Sequence, residues 1–201
     1  MSGATTRMGF TEAYVAAEHF ADRIRSSCER LVIAGSLRRR ADDVGDIEIV
    51  AVPRIWADER CDMFGEVVGV DRVDEIDRLM DVMAMQGEVQ RRLTNGRSAW
   101  GPKYKRLSFE GAPFDLFTCD AENFGLILAI RTGPAWFSHQ LVTPKDRRIQ
   151  QGHRPGLLPV HMRVADGWLT YRVSGERIPT PEERGFFETI GQPYIEPWNR
   201  R

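Results

Sequence analysis

Apolar residues recur at helical spacing from residue 11 to 29, where Tyr14, Ala17, Phe20 or Ala21, Ile24 and Cys28 share one face and Thr11 is a suitable N-cap. The pattern then changes to short apolar runs at 31–35 and 46–53, which predict strands, the second ended by Pro53. Val73, Ile76, Leu79, Met80 and Met83 restore a helical face over about 71–86. Leu93, Arg97-Ser98-Ala99 and Tyr104 to Phe109 read as strands broken by the turn signals Asn95-Gly96 and Gly101-Pro102. Glu110-Gly111-Ala112-Pro113 is a further turn, and Phe114 to Phe117 a further short strand. Two helices are expected over 122–132 and 135–150, split at Gly133-Pro134 because proline disfavours helix in the residue before it.

The last third has another character. Glycines and prolines at 152, 155, 156 and 159 open it, and strands at 160–164 and 168–173 flank the hairpin signal Asp166-Gly167. Thr180 then caps a final helix over roughly 181–190. This order predicts an α/β (α+β) fold: a mixed β-sheet with flanking helices over 1–120, then a smaller α+β subdomain over 121–201.

Composition narrows the function only a little. The 201 residues suffice for one core plus a small appended unit, and the net charge of −1 does not describe a generally basic nucleic-acid binder. The charges are segregated, however. Residues 58 to 81 hold nine carboxylates against three arginines, whereas 38–40, 91–106 and 145–148 are rich in Arg and Lys. The three cysteines (Cys28, Cys61, Cys119) have no paired spacing, which argues against a zinc site or a disulfide framework and favours a reducing, cytoplasmic setting. No apolar stretch approaches the roughly 18 residues that span a membrane, so no membrane partner is expected. The four histidines show no ligand spacing, and Met80, Met83 and Met85 read as core filler. Trp136-Phe137 fits packing better than base stacking, and Lys145, Arg147 and Arg148 fit a solvated face or a phosphate-tracking patch equally.

The chemistry lies between residues 34 and 50. An apolar strand runs into the turn Gly35-Ser36, a basic segment Arg38-Arg39-Arg40 follows, and a second strand carries Asp46 and Glu48. Side chains alternate along a strand, so these two acids point to one side. Asp115 is a third acid, between Phe114 and Leu116, and it converges on the pair if its strand lies beside theirs. Three such carboxylates are costly together unless cations fill the site, and hard oxygen donors suit Mg²⁺, with Mn²⁺ an equal chemical fit. Two ions about 4 Å apart activate a hydroxyl and stabilise a pyrophosphate leaving group. The Gly35-Ser36 turn offers N–H groups and a hydroxyl to phosphate oxygens, Arg39, with Arg38 or Arg40 as alternatives, neutralises phosphate charge, and Gly45 permits close approach.

These residues resemble the nucleotidyltransferase superfamily, and the longer match is to the family X DNA polymerases of the DNA polymerase beta type. It comprises Gly35-Ser36-Leu37-Arg38-Arg39 with Gly45-Asp46-Ile47-Glu48, then Gly111 to Phe117 and Arg131-Thr132-Gly133. Ile178-Pro179-Thr180, Glu182, Phe186-Phe187, Ile190-Gly191, Tyr194, Glu196-Pro197 and Arg200 resemble that family's thumb ending. The resemblance implies a palm over 1–120 and a thumb-like unit over 121–201, in a minimal form like viral or phage members. It implies a monomeric, Mg²⁺-dependent enzyme that adds dNMP from dNTP to a primer 3′-hydroxyl on primer-template or gapped DNA, in short-gap repair. Its setting would be the cytoplasm, or the host cytoplasm if phage-encoded. By the same resemblance Asp46, Glu48 and Asp115 are the catalytic metal ligands, and Gly35, Ser36, Arg39 and Gly45 contact the triphosphate. Thr132 and Gly133 lie under the incoming sugar and base. Lys103 and Lys105, in the segment 101–105, lie near the primer backbone, and Arg38 and Arg40 serve DNA backbone or solubility alone.

Several positions depart from that family. Glu48 stands where Asp is usual, Ile130-Arg131 where an aromatic pair checks the sugar, and Ala135 and Ser138 where longer polar residues meet the nascent base pair. About 30 residues precede the first strand, so a lyase domain and its activity are not expected. The same constellation also serves template-independent enzymes acting on RNA 3′ ends or small molecules, and a catalytically weakened nucleic-acid-binding relic is a third reading.

Overall fold

The computed structural model describes residues 7–94, 96–147 and 155–200. Asn95, Arg148, Gly152 and His153, which figure in the expectations above, lie outside them, as does the end of the helix expected over 135–150. Among the described residues no helix is long and apolar enough to cross a membrane.

Helix α1 (Phe10–Ile24) buries Ala13, Ala17, Phe20, Ala21 and Ile24, the stripe that its spacing predicts. It starts two residues before Thr11 could cap it, with Gly9 at the N-cap, and ends earlier than expected because a short 3₁₀ turn leads into strand β1 (Cys28–Ile33). A four-residue helical turn, α2 (Gly35–Arg38), separates β1 from β2 (Ile47–Pro53). Strands β3 (Ile55–Cys61) and β4 (Val67–Asp74) form a separate two-stranded hairpin. Asp74 then caps α3 (Glu75–Met85), accepting a hydrogen bond from the Asp77 amide at 2.9 Å.

The central sheet is completed by β5 (Val89–Arg91), β6 (Trp100–Gly101), β7 (Tyr104–Phe109) and β8 (Ala112–Thr118). Its order is β6-β7-β8-β2-β1, with β5 on the same edge of β7 as β6. Only β8 and β2 run parallel. Strand β2 reads as a nearly continuous apolar run because both its faces are covered. Ile47, Ile49 and Ala51 join Leu107, Phe114 and Leu116 against α1 and α3, whereas Val50 and Val52 join Phe117 against α4 (Phe124–Thr132).

Helix α4 is shared. Phe124 and Leu128 pack on the sheet, and Leu126 and Ala129 pack into a second core. That core gathers α5 (Ala135–Val142), the antiparallel strands β9 (Met162–Ala165), β10 (Trp168–Tyr171) and β11 (Arg177–Ile178), and α6 (Glu183–Thr189). Helix α5 stops at Thr143-Pro144, short of the expected end, since Pro144 cannot continue it. Thr180 does not cap α6, whose N-cap is Glu182. Its amide instead donates to the Glu122 carbonyl at 2.6 Å and its carbonyl accepts from Gly125 at 2.8 Å, seating the segment on α4. The fold is therefore mixed α+β, with two cores meeting across one helix.

Candidate active site

The parallel pairing of β8 with β2 sets Asp115 opposite Glu48, and alternation puts both on the α4 face of the sheet with Val50 and Phe117. Asp46 precedes Glu48 by two residues, immediately before the start of β2. The fold thus brings the three acids to one region, as their spacing predicts. Among the described residues no group of three acid, His or Cys side chains is arranged to hold a metal ion as it stands. Each acid instead faces an arginine. Arg92 donates to Asp46 Oδ1 at 2.7 Å. Arg106, the cross-strand neighbour of Asp115, donates from Nε to Oδ1 at 2.9 Å and from Nη2 to Oδ2 at 3.0 Å, and the Tyr104 hydroxyl adds a third bond at 3.0 Å. Arg131 lies with its guanidinium 3.8 Å from the centre of the Phe117 ring, facing Glu48, and Phe117 in turn stacks on Tyr104.

Electrostatics follow from this arrangement. Burial pushes the Glu48 carboxyl up to about 7; Arg131 and Arg39 oppose the shift, and Asp115 and Asp46 add to it. Burial and the adjoining Asp115 carboxylate raise the Tyr104 phenol to about 12. Glu48 also leans on the turn before α2: a Cβ at Gly35 would stand 2.0 Å from Glu48 Oε2, and Gly35 has φ +61°. That position therefore requires glycine for two reasons, the left-handed backbone and the carboxylate beside it. Gly45 is open, with nothing within 4 Å of where its Cβ would be.

The three arginines after the turn have separate fates. Arg38 grips Glu183, with bonds of 3.0 Å and 2.7 Å, and donates to Thr132 Oγ1 at 2.8 Å. Arg39 donates to the Thr132 carbonyl at 2.7 Å. Arg40 covers the ring of Trp198 at 4.8 Å. Glu183 also accepts from Arg200 at 2.7 Å and from the Tyr194 hydroxyl at 3.0 Å. Burial works to raise the Glu183 carboxyl, but the bonds from Arg38 and Arg200 outweigh it and hold the group below the usual carboxylate range. This network fastens α6 and the last residues of the chain to α2 and to the end of α4.

Of the residues expected at the sugar and at a DNA backbone, Thr132 and Lys105 are buried, Gly133 is half-buried and Lys103 is exposed. Thr132 is fully buried with both oxygens engaged by arginines, and a Cβ at Gly133 would meet Phe137 at 2.6 Å. Lys105 is 3% exposed, paired with Asp77 and bonded to the Gly101 carbonyl at 2.9 Å, which leaves it no free face for phosphate. Lys103 reaches across to the Asp166 carbonyl at 3.0 Å and ties the sheet to the β9–β10 turn. Between these elements a cavity of about 480 Å³ opens beside Asp115 and Glu48, with Phe117, Ile127 and Arg131 on its walls and Gly167 at its rim.

Sequence reasoning missed Arg92, Arg106 and Glu183. Arg106 was within reach: a two-residue turn at Glu110-Gly111, with φ 49° and 84°, fixes Phe109 opposite Ala112 and hence Arg106 opposite Asp115. Arg92 and Glu183 carry no such local signal.

The site thus belongs to a mixed α+β protein with Glu48 near the start of one strand and Asp115 opposite it in the middle of the parallel neighbour. The chain matches no protein-family model and no curated protein.

Proposed function

We propose that the chain is a Mg²⁺-dependent nucleotidyltransferase resembling a family X DNA polymerase, with a nucleotidyltransferase palm built on the central sheet and a thumb-like unit built on the second core. The observation that carries this reading is the placement of Glu48 opposite Asp115 in parallel strands, with Asp46 two residues upstream and the Gly35-Ser36 turn against Glu48. The donor chemistry suits the ions, since the oxygens are all carboxylate, although a bound ion would have to displace Arg92 from Asp46 and Arg106 from Asp115. Asp46, Glu48 and Asp115 would hold magnesium, which when bound lowers the pKa of an attacking hydroxyl and neutralises charge on the leaving group.

The proposed reaction joins the 3′-hydroxyl oxygen of a primer to the α-phosphorus of a dNTP. The bond to the bridging oxygen breaks, pyrophosphate leaves, and the hydroxyl proton passes to a carboxylate of the site. Arg39, in contact with Thr132 and near Glu48, is the cation best placed to meet a triphosphate. Gly35 keeps the turn open to it and Ser36 follows directly. Arg38 supports this arrangement from behind through Glu183.

Primer extension with each dNTP and NTP, on gapped, templated and single-stranded DNA and on RNA ends, tests the proposal. Template-directed incorporation of dNMP that Asp115→Ala abolishes is the expected result. Extension indifferent to template would favour the terminal-transfer reading. No turnover on any substrate would end the enzymatic reading.

A further inference from the structure

The β3–β4 hairpin is a long element that the site does not use. Among the described residues each of its strands pairs only with the other. Seven paired residues extend it about 23 Å at the usual rise of ~3.3 Å per residue. A lone two-stranded ribbon gains little stability in water without a third strand or a covering layer. Nevertheless its outer half exposes large apolar side chains among its charges. Met63 and Phe64 at the tip are 90% and 83% exposed, and Val67, Val68 and Val70 are each more than half exposed. Gly65, at φ +84°, and the bonds from the Phe64 and Glu66 amides to Asp62 Oδ1 hold the tip in one turn. Scattered exposed apolar residues need no explanation, but five within eight positions, at the tip and on the strand leaving it, are a concentration that points to an interaction surface.

Charge decides the class of partner. Residues 55–74 carry six carboxylates and two arginines, although the whole chain stands at only −1. Phosphate backbones and anionic membranes are repelled by such an arm. A second copy would bring the same surplus of negative charge to a symmetric contact. We infer that the hairpin is a docking arm for a different protein, one that offers an apolar socket to Met63, Phe64 and the valines and is rimmed by lysines or arginines facing Asp58, Glu59 and Glu66. The apolar tip supplies the buried anchor of such an interface, and the surrounding acids steer it.

The full chain can be tested with a designed 14-residue amphipathic Leu/Lys peptide as the probe, a Leu/Glu peptide of the same pattern as control, and a 30-base-pair duplex. The readouts are fluorescence anisotropy and amide hydrogen exchange. The expected result is binding of the Leu/Lys peptide alone, with exchange slowed within residues 56–70. Phe64→Asp should weaken that binding at least tenfold, and Glu59→Lys with Glu66→Lys likewise, while the melting temperature and any primer extension stay at the wild-type level. Equal binding by wild type and Phe64→Asp overturns the inference, as does absence of binding. It is overturned too if the duplex protects the hairpin, or if sedimentation shows a dimer that Phe64→Asp dissolves. None of these outcomes depends on whether the nucleotidyltransferase proposal holds.

Discussion

Arg106 and Asp115 stand opposite each other in the antiparallel β7–β8 pair, and the guanidinium holds both carboxylate oxygens, at 2.9 Å and 3.0 Å. Paired acceptor and planar fork make this the strongest geometry available to an arginine and a carboxylate. It also makes Arg106 a competitor for any cation that Asp115 would hold.

The competition has a measurable consequence. Arg106→Gln leaves the nearly buried Asp115 without its cation and should lower stability in metal-free buffer by roughly 1–3 kcal/mol. Added Mg²⁺ should then stabilise the variant more than the wild type, with half-saturation at a lower concentration. Thermal melts over a Mg²⁺ series check this, with Asp115→Ala as the control that should lose the response. An identical metal response in wild type and Arg106→Gln would show that the two cations do not share Asp115.

Gly35 and Glu48 form a second coupled pair. Gly35→Ala places a methyl group where Glu48 Oε2 now lies, at a backbone φ of +61° that costs an L-residue about 1–2 kcal/mol by itself. The single variant should therefore lose more than that, and the excess should vanish when Glu48 is also alanine. A double-mutant cycle by urea unfolding isolates the coupling term. Additive losses would mean that the carboxylate moves aside freely.

Much of this was legible in the sequence, for identifiable reasons. Strand 46–53 shows as an apolar run because both its faces are covered, and the split at 133–134 shows because proline acts locally. The strand expected at 31–35 is found only in part, since it runs Cys28–Ile33 with its apolar run partly buried. The hairpin at 55–74 was illegible because exposure on both faces removes the period-two alternation that marks a half-buried strand. Val73 and the helical spacing that follows it instead suggest a helix from residue 71, whereas the strand runs to Asp74 and the helix starts at Glu75. The three acids could be placed on one region of the sheet, since alternation dictates it. Their arginine partners could not be assigned so readily, because Arg92 reaches Asp46 across 46 residues and Arg38 reaches Glu183 across 145. Glu183 follows Glu182 in the sequence and looks equally solvated, yet it is 5% exposed whereas Glu182 lies at the surface.

The cysteines allow a simple check of the burial pattern. Burial raises the Cys28 thiol to about 11 and the Cys119 thiol to about 12, so neither offers appreciable thiolate near neutral pH. Cys61 is exposed on the hairpin. At pH 7.5 a disulfide reagent such as DTNB should label one thiol rapidly in the folded chain and all three in denaturant, with peptide mapping locating the first at Cys61. Rapid reaction at Cys119 would contradict the packing of β8 against β2.

Glu183 should be the most consequential single carboxylate for stability. It sits between Arg38 and Arg200, accepts from Tyr194, and joins the two cores. Glu183→Gln keeps the shape but leaves two largely buried guanidinium groups without an anion, a change that typically costs 3–5 kcal/mol, or roughly 3–5 kcal/mol here by the same reasoning. The pH dependence follows from the direction of the shift. The folded carboxyl titrates below its ordinary value of 4.5, so its stabilisation is fully present above that value. The stabilisation drains away as pH falls through the lower, folded-state value. Wild-type melting temperature should thus drop steeply on acidification below about pH 4.5, and the difference between wild type and Glu183→Gln should narrow over the same interval. Paired thermal melts from pH 3 to 7 measure both. A constant gap across that range would show that Glu183 contributes through packing and not through its charge.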